Sequence, residues 1–137
     1  MPKVLFLCTG NSARSILAEY LLRSLDPRFE TWSAGSHPRG EVHPLAIRVL
    51  REVYGIDAGD ARSKSWEELR DVGFDHVITV CDNARQSCPI WPGKAVMTHW
   101  DLEDPAAVEG TEEEKLRAFE ETARLLYDRL EAFRKTV

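Results

Sequence analysis

The tightest constraint on the fold is a pair of short apolar runs that stop in the same way. "KVLFLC" (3–8) and "HVITVC" (76–81) are largely apolar or β-branched, and each ends at a cysteine. A strand with one wet face alternates polar and apolar residues. A run without that alternation suits a strand covered on both faces, as in parallel sheets. Parallel strands require helical crossovers, and the rest of the chain supplies them. "ARSILAEYLLRSL" (13–25) places Ile16, Leu17, Tyr20, Leu21 and Leu25 at helical spacing, and Asp26-Pro27 closes the segment. "FETWSAG" (29–35) reads as a shorter strand running into a glycine turn. "HPLAIRVLREVYG" (43–55) reads as a helix, with Pro44 in its first turn and Gly55 at its C-terminal cap. "SWEELRDVG" (65–73) predicts another, with Ser65 and Glu68 in a capping-box pattern. "KAVMTHW" (94–100) is a fourth strand. The last segment (111–137) is a long amphipathic helix. Glu112, Glu113 and Glu114 at its start and Arg134 and Lys135 at its end complement the helix dipole. This order predicts one α/β domain over 1–137, a doubly wound sheet of about four parallel strands with helices on both faces.

Composition removes several function classes. The net charge of −5 argues against a nucleic-acid binder. No apolar run approaches the roughly 18 residues of a membrane span. The opening "MPKVLFLCTG" lacks a full signal-peptide core and cleavage site. The expectation is a cytoplasmic protein, monomeric by default, with neither membrane nor nucleic-acid partner. Three cysteines make a poor disulfide framework. Cys81 and Cys88, seven positions apart, do not match zinc spacing. His37, His43, His76 and His99 are scattered, so no metal is expected, and each reads as a surface or core residue. The four tryptophans read as packing or surface-anchor residues.

"CTGNSARS" (8–15) lies where a strand ends and a helix begins. Ligands in doubly wound sheets sit beyond the carboxyl ends of strands. The first turn of a helix has unpaired N–H groups, and with the loop amides they form a nest for an anion. Gly10 permits the sharp turn. Arg14 offers a planar fork for an oxyanion. Helix N-termini and nearby cations favour thiolate over thiol, so Cys8 reads as a nucleophile, with Ser15 as a hydrogen-bond donor to its sulfur. Thr9, Gly10, Asn11, Ser12, Ala13 and Arg14 are the expected oxyanion-binding loop.

The same stretch resembles the Cys-x5-Arg-Ser loop of the low-molecular-weight protein tyrosine phosphatases and their relatives. That resemblance implies a general acid on a distant Asp-Pro, and "DLEDPAA" (101–107) offers Asp104-Pro105. Within this superfamily, "VITVCDNARQSCPIWPG" (77–93) and "HWDLEDPA" (99–106) resemble the thioredoxin-coupled arsenate reductases. The phosphatases usually carry tyrosine after Asp-Pro and a second loop cysteine; this chain has Ala106 and Ala13.

The resemblance implies a mechanism. Cys8 attacks arsenate, with phosphate or sulfate as competing anions, while Asp104 protonates the departing oxygen. Cys81 attacks Cys8 and releases arsenite. Cys88 then attacks Cys81, and reduced thioredoxin, the electron donor, reopens the Cys81–Cys88 bond. No bound cofactor is implied. Weak phosphatase side activity is expected of such a reductase; the alternative is a tyrosine phosphatase using Cys8, Arg14 and Asp104 alone. In some relatives the positions matching Asn11, Glu19 and Ser33 help to bind potassium; here Lys64 or Arg62 is expected to replace the ion. If 81–88 is helical in the reduced protein, its two cysteine Cα atoms stand about 10 Å apart, whereas a disulfide needs about 4.4–6.8 Å. A redox-driven order change over 81–93 is therefore expected, eased by Asp82, Asn83, Pro89 and Gly93.

Overall fold

The sheet reverses its winding direction beside its first strand. A computed structural model describes residues 1–81 and 93–137 of the chain. In it, β1 (Lys3–Cys8), β2 (Glu30–Gly35), β3 (His76–Thr79) and β4 (Val96–His99) form one sheet in the order β2-β1-β3-β4. All pairings are parallel, with Lys3 opposite Glu30, Val4 opposite His76 and His76 opposite Val96. The chain leaves β1 toward β2 on one side and later returns to β3 on the other. The carboxyl ends of β1 and β3 therefore flank the switch point where such sheets open a crevice.

Helices α1 (Arg14–Leu25) and α2 (Pro44–Tyr54) lie between strands, and α3 (Glu112–Arg134) follows β4. They share one core with one face of the sheet. Val4, Phe6 and Cys8 of β1 meet Ile16, Leu17 and Leu21 of α1, and Phe119, Leu126 and Leu130 of α3 close the layer. Helix α1 is buried through nearly its whole length, because sheet, α2 and α3 surround it. The opposite face carries Leu5, Leu7, Ala34 and Val77 against Leu69 and Phe74, with Trp32 and Trp66 at its margin. The unbroken apolar run of β1 serves these two faces at once.

Local signals set the helix ends. Pro44 sits in the first turn of α2, and Gly55 caps its far end in the left-handed region at φ 66°. Thr111 and Glu114 form a reciprocal capping box at the start of α3. The segment 65–73 departs from expectation. It holds only a 3-10 helix, Trp66–Leu69, and Ser65 accepts from the Glu67 N–H without a reciprocal box. Its apolar residues Trp66, Leu69 and Val72 recur every third position and point into one small core. That period is the eclipsed spacing of a 3-10 turn rather than of an α-helix, and Gly73 at φ 77° ends the segment. No helix among the described residues is long and apolar enough to cross a membrane. Cys88 and the order change expected over 81–93 fall, apart from Cys81 and Gly93, outside the described residues.

Candidate active site

The loop after β1 is held so that its carbonyls face outward. Ser36 N–H donates to the Cys8 carbonyl at 3.2 Å, His37 N–H to that of Thr9 at 2.9 Å, Arg39 N–H to that of Gly10 at 3.0 Å, and His43 N–H to that of Ser12 at 2.9 Å. A peptide whose carbonyl faces outward turns its N–H inward. The strap at 36–43 thus aims the loop's donors at one small space. Two donors reach the Cys8 sulfur itself: Asn11 N–H at 3.2 Å and Ser15 Oγ at 2.9 Å.

The direction of that hydroxyl follows from its other neighbour. Asn11 Nδ2 donates to Ser15 Oγ at 2.8 Å, so the Ser15 proton is left for sulfur. The amide cannot flip, because Lys64 N–H donates to Asn11 Oδ1 at 2.8 Å. Asn11 holds a positive φ of 45°, uncommon for a residue with a side chain, and these two side-chain bonds keep it there. Gly35, at the end of β2, backs the same turn. A β-carbon there would stand 2.5 Å from the Thr9 carbonyl oxygen and 3.0 Å from Asn11 N.

Arg14 is buried at the start of α1. Its Nη1 donates to the Leu102 carbonyl at 2.9 Å, and its Nη2 lies 3.8 Å from Asp104 Oδ2. Asp104 caps the 3-10 turn Pro105–Ala107 through its Oδ1, which accepts from Ala106 N–H at 3.0 Å. One pocket is lined by Cys8, Thr9, Gly10, Ser12, Ala13 and Arg14 together with His37, Arg39, Asp104 and Ala106. Its lining brings together the Cys8 sulfur, loop N–H groups, the Arg14 guanidinium and the Asp104 carboxyl, a set of groups chemically suited to a tetrahedral oxyanion.

A model of the low-molecular-weight phosphotyrosine protein phosphatases matches residues 3–137. The chain belongs to that family. Among curated relatives it is 38% identical to an arsenate reductase of Oceanobacillus iheyensis over 134 residues, covering 97% of this chain and 95% of that one. A solved arsenate reductase in its phosphate-binding state superposes with a TM-score of 0.80 at 31% identity, over 97% of this chain and 96% of that one. A thioredoxin-dependent arsenate reductase of Corynebacterium glutamicum is 31% identical with a TM-score of 0.63; the match covers 96% of this chain and 63% of that longer one.

Within this family fold, Cys8, the loop through Arg14 and Asp104 line one pocket, and Ser15 lies against the Cys8 sulfur. Cys81 is fully buried just beyond β3, with its Sγ 3.9 Å from the Leu7 carbonyl. Two of the histidines lie beside the loop. His37 lines the pocket, and His43 caps α2 by accepting from Leu45 N–H through Nδ1 at 3.1 Å. Burial, then the nearby Arg39 guanidinium, pushes the His43 imidazole below the usual histidine range. Arg39 and Gly35 were not legible from local pattern, since what matters about each is a contact with the distant 8–12 loop.

The expected ion replacement is altered. Glu19 is buried; Ser33 Oγ donates to its Oε1 at 2.6 Å and Arg23 Nη2 to its Oε2 at 2.6 Å. Both oxygens therefore already accept from protein donors. Arg62 turns to Glu68 at 3.2 Å. Burial lowers the Lys64 amine below its usual range, while the Glu19 charge acts the other way. The direct cationic partner is Arg23, one turn along α1.

Proposed function

We propose that the chain reduces arsenate to arsenite, taking its electrons from thiols. The observation that carries this reading is the placement of a second thiol beside the first. The ladder pairs Leu7 with Thr79, and Val80 N–H continues it by donating to the Leu7 carbonyl at 2.9 Å. Cys81 therefore stands one step past the position facing Cys8. Both cysteines belong to one buried cluster, and Cys81 Sγ lies 3.9 Å from the carbonyl of Leu7, the residue before Cys8. The curated relatives named arsenate reductase support the same reading.

The Cys8 thiolate attacks arsenic(V) held by the loop amides and Arg14. An As–S bond forms, and the departing oxygen takes a proton from Asp104 and leaves as water. The Cys81 thiolate attacks Cys8 Sγ. The S–S bond forms while the As–S pair moves to arsenic, which leaves as arsenite. Cys88 next attacks Cys81 Sγ and frees Cys8. A reduced dithiol protein of the thioredoxin type returns two electrons to the Cys81–Cys88 bond; the Corynebacterium relative supports that donor. Each sulfur step is thiolate–disulfide exchange.

The test is NADPH consumption with arsenate, thioredoxin and thioredoxin reductase. Cys81→Ser and Cys88→Ser are each expected to abolish multiple turnover while slow hydrolysis of an aryl phosphate survives. Undiminished arsenate turnover in Cys81→Ser would remove the relay. The phosphatase reading through Cys8, Arg14 and Asp104 keeps support from the family itself. It predicts that aryl-phosphate hydrolysis exceeds arsenate turnover in the unaltered protein.

A further inference from the structure

The lining of the pocket includes a cation that the proposed mechanism does not use, Arg39. Arg39 is exposed, yet it is tethered to the anion-binding loop through its own N–H on the Gly10 carbonyl at 3.0 Å. Its side chain lies across Gly10: a β-carbon on that glycine would meet Arg39 Nε at 3.2 Å, Cγ at 3.3 Å and Cδ at 3.4 Å. The bare glycine thus makes the groove in which the Arg39 stem rests, and Arg39 is part of the pocket lining. No carboxylate pairs with Arg39 among the described residues. Arg23, Arg28, Arg48, Arg62, Arg117 and Arg124 each pair with one. Arg14, the buried guanidinium of the same pocket, already donates to the Leu102 carbonyl and stands beside Asp104.

We infer that Arg39 is a second oxyanion-binding guanidinium, closing over the outer oxygens of an anion that Arg14 and the loop amides hold from within. Five N–H donors in a planar fork suit a tetrahedral dianion. A cation in this lining also helps to offset the repulsion that the chain's net negative charge exerts on an incoming anion. The role is in binding and selection, so its loss raises KM and leaves the chemical step alone. The inference rests on the reading of this pocket as an oxyanion site.

The experiment is calorimetric titration of the full chain with inorganic phosphate, comparing wild type, Arg39→Met and Arg39→Lys at low and high sodium chloride. Met keeps the stem over Gly10 and removes the charge; Lys keeps the charge and loses the fork. At low salt, Arg39→Met is expected to weaken phosphate about tenfold, equivalent to about 1.4 kcal/mol, with Arg39→Lys in between. High salt should shrink the difference, because a surface charge is screened. The arsenate KM should rise in parallel, with kcat within twofold. Phosphate binding by Arg39→Met within twofold of wild type at low salt overturns the inference. So does a loss that salt leaves unchanged and Lys does not rescue, which marks a packing role. If wild type takes up no phosphate, the oxyanion reading of the pocket falls, and the Arg39 inference falls with it.

Discussion

Gly35→Ala separates two physical arguments that predict opposite signs. Gly35 lies in β2, and its φ is not among the positive ones. Glycine in a strand is entropically costly, so propensity alone predicts that alanine stabilises by about 0.4–1 kcal/mol. The contacts predict the reverse. The new β-carbon would sit 2.5 Å from the Thr9 carbonyl oxygen, 3.0 Å from Asn11 N and 3.1 Å from Asn11 Cβ. All three atoms belong to the turn that aims its donors at Cys8, and two of them are backbone, so no rotamer change relieves the clash. Restoring ordinary contact moves the turn by somewhat under 1 Å. Overpacking of this kind costs about 1–3 kcal/mol, which outweighs the entropic gain. A displacement of about 1 Å at a reacting centre costs on the order of 100-fold in rate. The expected result is a lower urea midpoint together with arsenate turnover reduced by 10- to 100-fold, about 1.4–2.8 kcal/mol of activation free energy. The assays are urea unfolding and the coupled NADPH assay. An alanine variant as active as wild type and equally or more stable would refute the reasoning, because the loop would then not be seated against this glycine.

Two further outcomes follow from the charges around the site. The folded His43 value lies below the ordinary one near 6.5, so the unfolded chain binds its proton first and stability is lost as pH falls below that point. Arg39, Asp104, Lys115 and Glu112 are the charges that face this imidazole, and protonation also removes the Nδ1 acceptor that caps α2. Urea unfolding at pH 7.5 and 5.5 should therefore show a larger acid loss in wild type than in His43→Asn, whose amide oxygen is an acceptor at both pH values; equal losses would count against it. With both Glu19 oxygens bonded to Arg23 and Ser33, potassium and sodium chloride at equal ionic strength should give the same melting temperature and turnover. A rise specific to potassium would show that an ion displaces Arg23 from Glu19.

The sequence by itself determined the elements with short-range causes. The unbroken apolar runs before Cys8 and Cys81 require strands covered on both faces, and Pro44, Gly55 and Thr111 mark helix ends through bonds within a few residues. The Cys8–Ser15 loop is legible for the same reason: its donors, its turn and the following helix are contiguous. Tertiary structure decided what depends on segments far apart in the chain. The 36–43 strap turns the loop carbonyls outward, Gly35 seats the turn, Lys64 fixes the Asn11 amide, and Arg23 rather than Arg62 answers Glu19. It also made 66–69 a 3-10 turn, because the small core on that face accepts a side chain every third residue. Local pattern records how a segment buries its own apolar face. Which distant backbone then comes to rest against it is set by the strand order, and no window of neighbouring residues contains that information.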